Sequence, residues 1–320
     1  MTVLSPAGHT ILRTEDRNRR RPILIDLWYP AVSPAKEKPY PDGMGGGRGA
    51  EDVDALEGKH PAIVLSHGAF GAARNYTWIA FHLARQGYLV AGVSHFGESF
   101  VYGPETINPA TALMPWLRSQ DCIAALDYLL GESPFRHLID PARVGALGHS
   151  SGGATVLSLA GPRYDFAAMM RYCVSKSAAG DRGCSYARGG PHVSPPEDAS
   201  RSYLDKRIKA IVAFDPALGP GYDAENLAMV SVPVFIVGAV ENDFLPFGAH
   251  AGHYAGHIPG AILVRLDGGE GHFVFLDECD HDRQANGVAL CRDREGVDRR
   301  RVHEYLSGIV TGFFGEKLRW

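Results

Sequence analysis

Apolar positions along the chain follow two patterns that alternate. Short runs that are apolar almost throughout, such as 62–68 (AIVLSHG) and 88–95 (YLVAGVSH), are typical of strands buried on both faces of a sheet. Between these runs, residues 72–87 carry apolar side chains at helical spacing and end at Gly87, a residue that favours helix termination. The complete pattern predicts strands at 22–29, 62–68, 88–95, 143–150, 208–216, 232–240 and 261–268, and helices at 72–87, 114–132, 151–161, 247–257 and 299–318.

Strands that alternate with helices predict an α/β fold with a mostly parallel central sheet and helices on both faces. The pattern contains no internal repeat and no second core, so we expect a single domain over residues 1–320. Residues 162–207 break the alternation and are rich in Gly, Arg and Ser. Because this segment follows the helix at 151–161, we predict an insertion there, in a position where lids and pocket walls often lie.

Charge and hydropathy exclude two classes of partner. The 320 residues contain 32 Lys and Arg against 36 Asp and Glu, a net charge of −4, which offers no electrostatic surface for nucleic acid. No apolar run reaches the roughly 18 residues that span a membrane. The first residues lack the basic-then-apolar order of a signal peptide, so we expect either a cytoplasmic protein or one whose signal was removed. A small neutral or weakly polar ligand fits this composition.

Four of the five cysteines form two close pairs in loop-like sequence, Cys173 with Cys184 and Cys279 with Cys291. Loops of this length can close into disulfides, which would indicate an oxidising compartment such as the periplasm or the exterior. The alternative is that all five are free thiols, and the odd count, with Cys122 left over, favours it. No C-x-x-C motif occurs, so we expect no zinc site.

The stretch GHSSG, from Gly148 to Gly152, lies at the junction of a predicted strand and helix. A nucleophilic serine in G-x-S-x-G needs a sharp turn that exposes its hydroxyl, and the turn leaves room only for very small residues two positions before and after it. Ser150 has glycine at both positions, whereas Ser151 has His149 at the first. Ser150 is therefore the candidate nucleophile, and His149 is expected to pack beside the turn.

The serine hydroxyl needs a general base and a site for the developing oxyanion. In this strand–turn–helix architecture the histidine follows the last strand in sequence, and His272 lies there in the glycine-rich loop LDGGEGHFVFLD. The oxyanion donors are predicted to be the backbone N–H groups of Ala69, after the strand at 62–68, and Ser151. The remaining late histidines are expected on solvated helix faces, namely His250, His253, His257 and His303.

Two aspartates are candidates for the acid that orients the histidine. Asp243 follows the strand at 232–240, and Asp215 follows the strand at 208–216. Side chains at the carboxyl ends of parallel strands meet at one edge of the sheet, so either could serve. We prefer Asp243, since it stands in an exposed-looking loop, whereas Asp215 precedes a proline in a typical turn sequence.

The motifs WYPA, LSHGAFG, GHSSGG, IVGAVENDFLP and GEGHFVFLD, in this order, resemble those of the α/β-hydrolase superfamily. Within it the chain looks most like the dienelactone-hydrolase-like and platelet-activating-factor acetylhydrolase-like group, with bacterial cutinases and polyester hydrolases nearby. True dienelactone hydrolases use cysteine as the nucleophile, from which Ser150 departs. The cutinase pattern implies the acid at Asp243, and the acetylhydrolase pattern implies it at Asp215.

The resemblance implies hydrolysis of a small, medium or polymeric carboxylic ester through an acyl-serine, without a cofactor or metal. The alternatives are an amide or peptide hydrolase, an acyltransferase, or a binding protein on a hydrolase scaffold. The segment CDHDRQANGVALCRD resembles one in secreted members with paired cysteines, which implies export. Candidate substrate-binding residues are Phe70, His95, Phe96 and Trp116, which we expect to form part of the pocket wall.

Overall fold

A computed structural model describes residues 5–39, 48–50, 52–188 and 197–318. Its main sheet has eight strands in the order β1-β2-β6-β5-β7-β8-β9-β10. These strands are β1 (Ala7–Asp16), β2 (Arg21–Pro30), β5 (His60–Ser66), β6 (Leu89–Ser94), β7 (Ile139–His149), β8 (Ile208–Phe214), β9 (Val234–Ala239) and β10 (Ile262–Leu266), and two short hairpins are formed by β3 (Glu37–Pro39) with β4 (Arg48–Ala50) and by β11 (Gln284–Ala285) with β12 (Val288–Ala289).

From β6 through β10 the strands pair in parallel, while β1 and β2 add two antiparallel strands at one edge. Carboxyl ends of parallel strands share one edge of a sheet, so the loops after β5, β7, β8, β9 and β10 can assemble one site. The predicted α/β fold is confirmed. The strand β1 was not predicted, because most of its positions are only partly buried and its apolar residues do not alternate regularly.

The helices are α1 (Thr77–Arg85), α2 (Pro115–Gly131), α3 (Ser151–Ser158), α4 (Phe166–Cys173), α5 (Ser185–Arg188), α6 (Ala224–Ala228), α7 (Ala251–His257) and α8 (Arg299–Lys317). The period of two along each strand divides the core between the two faces of the sheet. In β5, Val64 belongs to the cluster that includes α2 and α3, whereas Ile63 and Leu65 belong to the cluster that includes α1 and α8. Strands covered on both faces explain the continuous apolar runs in the sequence.

Residues 162–207 contain α4, α5 and two single 3-10 turns among loops. Residues 189–196 of this segment lie outside the described residues. The segment adds no strand to the sheet among its described residues, which is consistent with an insertion between α3 and β8.

Candidate active site

Ser150 occupies the turn between β7 and α3 with φ 57° and ψ −122°, a backbone conformation that non-glycine residues rarely adopt. Glycine is required on both sides. A Cβ at Gly148 would collide with the carbonyl of Gly152, and a Cβ at Gly152 would collide with the carbonyl of Ser66 in β5. The turn is therefore strained, and it holds the serine hydroxyl at the carboxyl edge of the sheet, ahead of the N-terminus of α3.

Three side chains from three different loops meet at this turn. The Oγ atom of Ser150 lies 2.9 Å from Nε2 of His272, and Nδ1 of His272 lies 2.7 Å from Oδ2 of Asp215. All three side chains are buried, with His272 only 1% exposed. An Nδ1–H that donates to the carboxylate leaves Nε2 free to accept the serine proton, so this arrangement can activate a hydroxyl nucleophile.

Asp243 does not contact the imidazole ring. One of its carboxylate oxygens, Oδ1, accepts the backbone N–H of His272 at 2.9 Å, and the other lies 3.9 Å from the guanidinium of Arg294. The sequence argument preferred Asp243 as the ring's partner; the structure instead places Asp215 there. The physical reason is that Asp215 adopts φ 42° at the end of β8, which turns its buried side chain toward the histidine.

Asn242 completes the surroundings of Asp215, a role that the sequence analysis missed. Its Nδ2 donates to Oδ2 of Asp215, and its Oδ1 accepts the backbone N–H groups of Phe244 and Leu245 at 2.8 and 2.7 Å. The backbone N–H of Ala239 donates to the other oxygen of Asp215 at 3.2 Å. In the loop sequence Glu-Asn-Asp, the amide thus orients the acid.

Burial governs the ionisation of this pair. Removal from water raises the pKa of Asp215 and lowers the pKa of His272, because it disfavours the charged form of each group. The nearby carboxylate of Asp243 acts in the opposite direction on His272 and raises its pKa. The net lowering keeps the imidazole neutral and able to accept a proton near neutral pH.

The two predicted oxyanion donors, Ala69 and Ser151, both line the space in front of Ser150. Among the described residues, neither backbone N–H donates to a protein acceptor, whereas the N–H of Gly68 is occupied by Tyr76. Behind this turn, Arg118 of α2 is buried and donates to the carbonyl of His67 and to Glu98. The turn that carries Ala69 is therefore supported from inside the protein.

A cavity of about 450 Å³ opens over Ser150. Of the predicted substrate-binding residues, Phe70 lines it and packs edge-on against Tyr186. The other three predicted residues, His95, Phe96 and Trp116, lie outside the lining of this cavity.

The other contacts of those three residues explain why. His95 is buried between Ser66 and Asp121, at 2.9 and 3.0 Å. Phe96 lies under the guanidinium of Arg21, and Trp116 packs against Tyr164 and Phe166 in the core. These side chains follow or precede site elements in sequence, but the packing of the sheet directs them away from the cavity.

Both cysteine pairs form disulfides, Cys173–Cys184 and Cys279–Cys291. The Cys173–Cys184 disulfide closes a loop of the insertion, and Asp181 and Gly183 of this loop line the cavity. In the Cys279–Cys291 disulfide, Cys279 itself lines the cavity. Arg182 joins the two loops, because its guanidinium donates to the carbonyl of Asn286 at 2.6 Å and its carbonyl accepts from the Asn286 side chain at 3.1 Å. Two cross-linked loops therefore form one wall of the cavity.

Two histidines predicted on solvated helix faces are buried. His250 lies 2.7 Å from Asp181 through Nε2, and its Nδ1 accepts the N–H of Gly219, so it links the insertion to α7. His303 stacks on Trp78 at 4.0 Å and contacts the carbonyl of Val274 at 2.7 Å. Helical spacing identifies a shared face but not what covers that face.

The described residues offer one group with metal-ligand chemistry, formed by Cys279, His281 and Cys291, whose ligand atoms lie within 4.8 Å of one another. Its two sulfur atoms are bonded to each other in the disulfide and cannot act as thiolates. None of the helices in the described part of the chain is long and apolar enough to span a bilayer.

The sheet topology, the strained serine turn and the Ser–His–Asp contacts define an α/β-hydrolase of the serine type. No protein-family model matches the chain. Cutinase 2 of Thermobifida cellulosilytica is 31% identical over 239 residues, which cover 73% of this chain and 67% of that protein. The chain therefore belongs to the cutinase family, one of the groups that its sequence resembles.

Two further proteins extend the comparison. The bis(hydroxyethyl) terephthalate hydrolase of Streptomyces coelicolor is 34% identical over 122 residues, which cover 38% of this chain and 35% of that protein. The chain thus matches about a third of one curated relative and two thirds of the other. A solved ferulic acid esterase from Streptomyces cinnamoneus shares the fold with a TM-score of 0.63 at 20% identity, covering 98% of this chain and 90% of that chain.

Proposed function

We propose that the chain hydrolyses carboxylic esters through an acyl-enzyme on Ser150. His272 accepts the proton of the Ser150 hydroxyl as the oxygen attacks the ester carbonyl, and Asp215 stabilises the imidazolium. The N–H groups of Ala69 and Ser151 stabilise the tetrahedral oxyanion, and His272 returns the proton to the leaving alcohol. Water then attacks the acyl carbonyl and gives a proton to His272, which passes that proton to Oγ of Ser150 as the carboxylic acid leaves.

The observation that carries this proposal is the continuous contact from Ser150 through His272 to Asp215 beneath a cavity. Ser150→Ala should abolish hydrolysis of 4-nitrophenyl esters while leaving the fold intact. Ser158→Ala is the matched control, since Ser158 is a buried serine in the last turn of α3, the helix that follows Ser150, and lies outside the cavity lining. Hydrolysis by Ser150→Ala at a near wild-type rate would refute the mechanism.

We propose that the substrates are small and medium esters with an aromatic or branched apolar group. The cavity volume of about 450 Å³ is within the range of pockets that enclose small molecules. Around Ser150 the lining is largely aromatic and apolar, with Phe70, Phe100, Leu113, Tyr186, Phe244 and Phe273. A ligand of this kind gains by removal of its apolar surface from water against such a lining.

One relative and one structural neighbour suggest test substrates, because their names specify bis(hydroxyethyl) terephthalate and an ester of ferulic acid. We expect bis(hydroxyethyl) terephthalate and methyl ferulate to be hydrolysed with higher kcat/KM than 4-nitrophenyl acetate, and amorphous polyester film to release little product. Matched nitroanilides measure the amide activity that the same triad could support. Preference for the film over the small diesters would contradict the proposed substrate class.

We further propose that the described part of residues 162–207, which leaves out 189–196, serves as a fixed wall of the cavity rather than a lid that must open. The insertion contributes Met169 and Tyr186 to the lining, and the disulfide, the Arg182–Asn286 contacts and the His250–Asp181 contact hold it in place. The two disulfides are also compatible with an extracellular or periplasmic protein, and this is the location we propose.

A further inference from the structure

Tyr76 and His149 contact three separate loops of the site without belonging to the Ser–His–Asp contacts. The N–H of Gly68, before the oxyanion donor Ala69, donates to the hydroxyl of Tyr76 at 2.9 Å. That hydroxyl lies 2.8 Å from Nδ1 of His149, and Nε2 of His149 lies 3.0 Å from the carbonyl oxygen of His272. A continuous chain of hydrogen bonds therefore runs from the oxyanion turn to the backbone of the general base.

The direction of every bond in this chain follows from its two ends. A carbonyl oxygen only accepts, so Nε2 of His149 must carry a hydrogen. A neutral imidazole has one ring hydrogen, so Nδ1 accepts the hydroxyl hydrogen of Tyr76. The oxygen of Tyr76 then accepts the N–H of Gly68. Protonation of His149 would break this series of hydrogen bonds, because both ring nitrogens would then be donors.

The surroundings protect this arrangement. Tyr76 and His149 are each 1% exposed. Burial, together with the adjacent His272, holds the pKa of His149 well below its ordinary value, and burial raises the pKa of Tyr76, so both remain neutral. The turn at Gly68 also packs directly on these two side chains, since a Cβ at Gly68 would lie 3.2 Å from the Tyr76 hydroxyl and 3.3 Å from Nδ1 of His149.

We propose that Tyr76 and His149 are positioning residues that hold the oxyanion turn, the serine turn and the His272 loop in one fixed geometry. His149 precedes Ser150 and Gly68 precedes Ala69. This series of hydrogen bonds therefore fixes the backbone next to the nucleophile and next to an oxyanion donor. At its other end, the series of hydrogen bonds reaches the backbone carbonyl of His272, the residue that transfers the proton. The inference rests on the proposed function, since it assigns these residues to the same reaction.

The effect to measure is a loss of transition-state stabilisation without loss of substrate binding. In Tyr76→Phe the N–H of Gly68 loses its acceptor and Nδ1 of His149 loses its donor. We expect kcat to fall about 10- to 100-fold, the range that small misplacements of catalytic groups cause, while KM changes less than about threefold. Phenylboronic acid becomes tetrahedral when Ser150 Oγ adds to it, so its affinity should weaken by a factor similar to the loss in kcat/KM.

Tyr222→Phe is the matched control. Tyr222 is also buried, and its hydroxyl lies 2.5 Å from Ser158, outside the cavity lining. Tyr76→Phe loses two buried hydrogen bonds and Tyr222→Phe loses one, so both melting temperatures should fall, that of Tyr76→Phe by somewhat more. If Tyr76→Phe and Tyr222→Phe have the same kcat and the same boronate affinity, the positioning role is refuted.

Two measurements keep the inference testable if a variant folds poorly. Nitrogen NMR of the wild-type protein should show His149 as the neutral tautomer with hydrogen on Nε2, and hydrogen on Nδ1 would overturn the chain. In the double variant Tyr76→Phe/His149→Gln, the loss in kcat should not exceed that of the more impaired single variant, and multiplicative losses would also overturn it. A wild-type protein without ester hydrolysis or boronate binding would instead refute the proposed function, while the NMR result would still test the chain.

Discussion

At the scale of single residues, the site depends on how two aspartates approach one histidine. Asp215 contacts the ring of His272 through Nδ1, whereas Asp243 contacts only its backbone N–H. The two contacts have different chemical consequences. A carboxylate at Nδ1 selects the tautomer that can accept the serine proton, while a carboxylate at the backbone positions the loop and adds negative charge nearby.

We expect Asp215→Asn to lower kcat by on the order of 10⁴-fold, as loss of the tautomer-selecting carboxylate does in other serine triads. Asp243→Asn keeps an oxygen that can accept the N–H of His272, so its kcat should fall by roughly tenfold or less. Steady-state kinetics on one ester compares the two. A larger loss in Asp243→Asn would reverse the assignment of the acid.

The ionisation of His272 leads to a predicted effect of pH. His272 must be neutral to accept a proton, so kcat/KM should decline on the acid side of the profile. The carboxylate of Asp243 raises the pKa of His272, and its removal lowers that pKa. The neutral imidazole then persists to lower pH, so the acid limb of kcat/KM should move to lower pH in Asp243→Asn. An unchanged limb, or a shift to higher pH, would contradict this electrostatic role.

At the scale of elements, the junction of β7 and α3 is built from close backbone contacts. Gly152 lies against the carbonyl of Ser66 in β5, and Gly153 lies against Pro216 after β8. Helix α3 can therefore lie close to the sheet only because Gly152 and Gly153 in its first turn have no side chains. This proximity brings the N-terminus of α3, and with it the N–H of Ser151, up to the site of the oxyanion.

Gly152→Ala should separate α3 from β5, because its Cβ has no space beside the backbone of β5. We expect a loss of about 1–3 kcal/mol in unfolding free energy, typical of overpacking, and a fall in kcat of at least tenfold as Ser150 moves. Gly131→Ala is a suitable control, since a Cβ there meets no atom within 4 Å. Chemical denaturation and ester kinetics check both, and equal results for the two variants would refute the packing argument.

At the scale of the whole molecule, the cavity is lined by segments that are far apart in sequence. Phe70 follows β5, Tyr186 belongs to the insertion, and Phe273 follows β10. The disulfides Cys173–Cys184 and Cys279–Cys291 restrain two of the segments that form its wall. The sheet supplies the reacting groups, while these loops determine the shape of the substrate's surroundings.

Removal of the insertion disulfide in Cys173→Ser/Cys184→Ser should lower the unfolding free energy by about 2–4 kcal/mol, as expected for a native disulfide. We expect KM for bis(hydroxyethyl) terephthalate to rise more than kcat falls, because the wall loses its shape while the triad stays in place. Cys122→Ala is the control, since Cys122 is buried, is not bonded to another cysteine and lies outside the cavity lining. A change in kcat alone would contradict the wall assignment.

The sequence by itself determined the features that are encoded locally. Continuous apolar runs predicted the central strands, and glycine spacing around Ser150 selected one serine of two. Chain order and loop composition selected His272 among the late histidines. These features depend on the conformation of a few consecutive residues, which a short stretch of sequence specifies.

Only the tertiary structure decided which distant groups meet. Asp215 and His272 are 57 residues apart, and Asp181 and His250 are 69 apart, so no local pattern indicates either pair. The choice between Asp215 and Asp243, the amide role of Asn242 and the burial of His303 depend on how β8, β9 and α8 pack. Side-chain burial and pairing depend on how the sheet and helices pack, so the local periodicity of the sequence does not predict them.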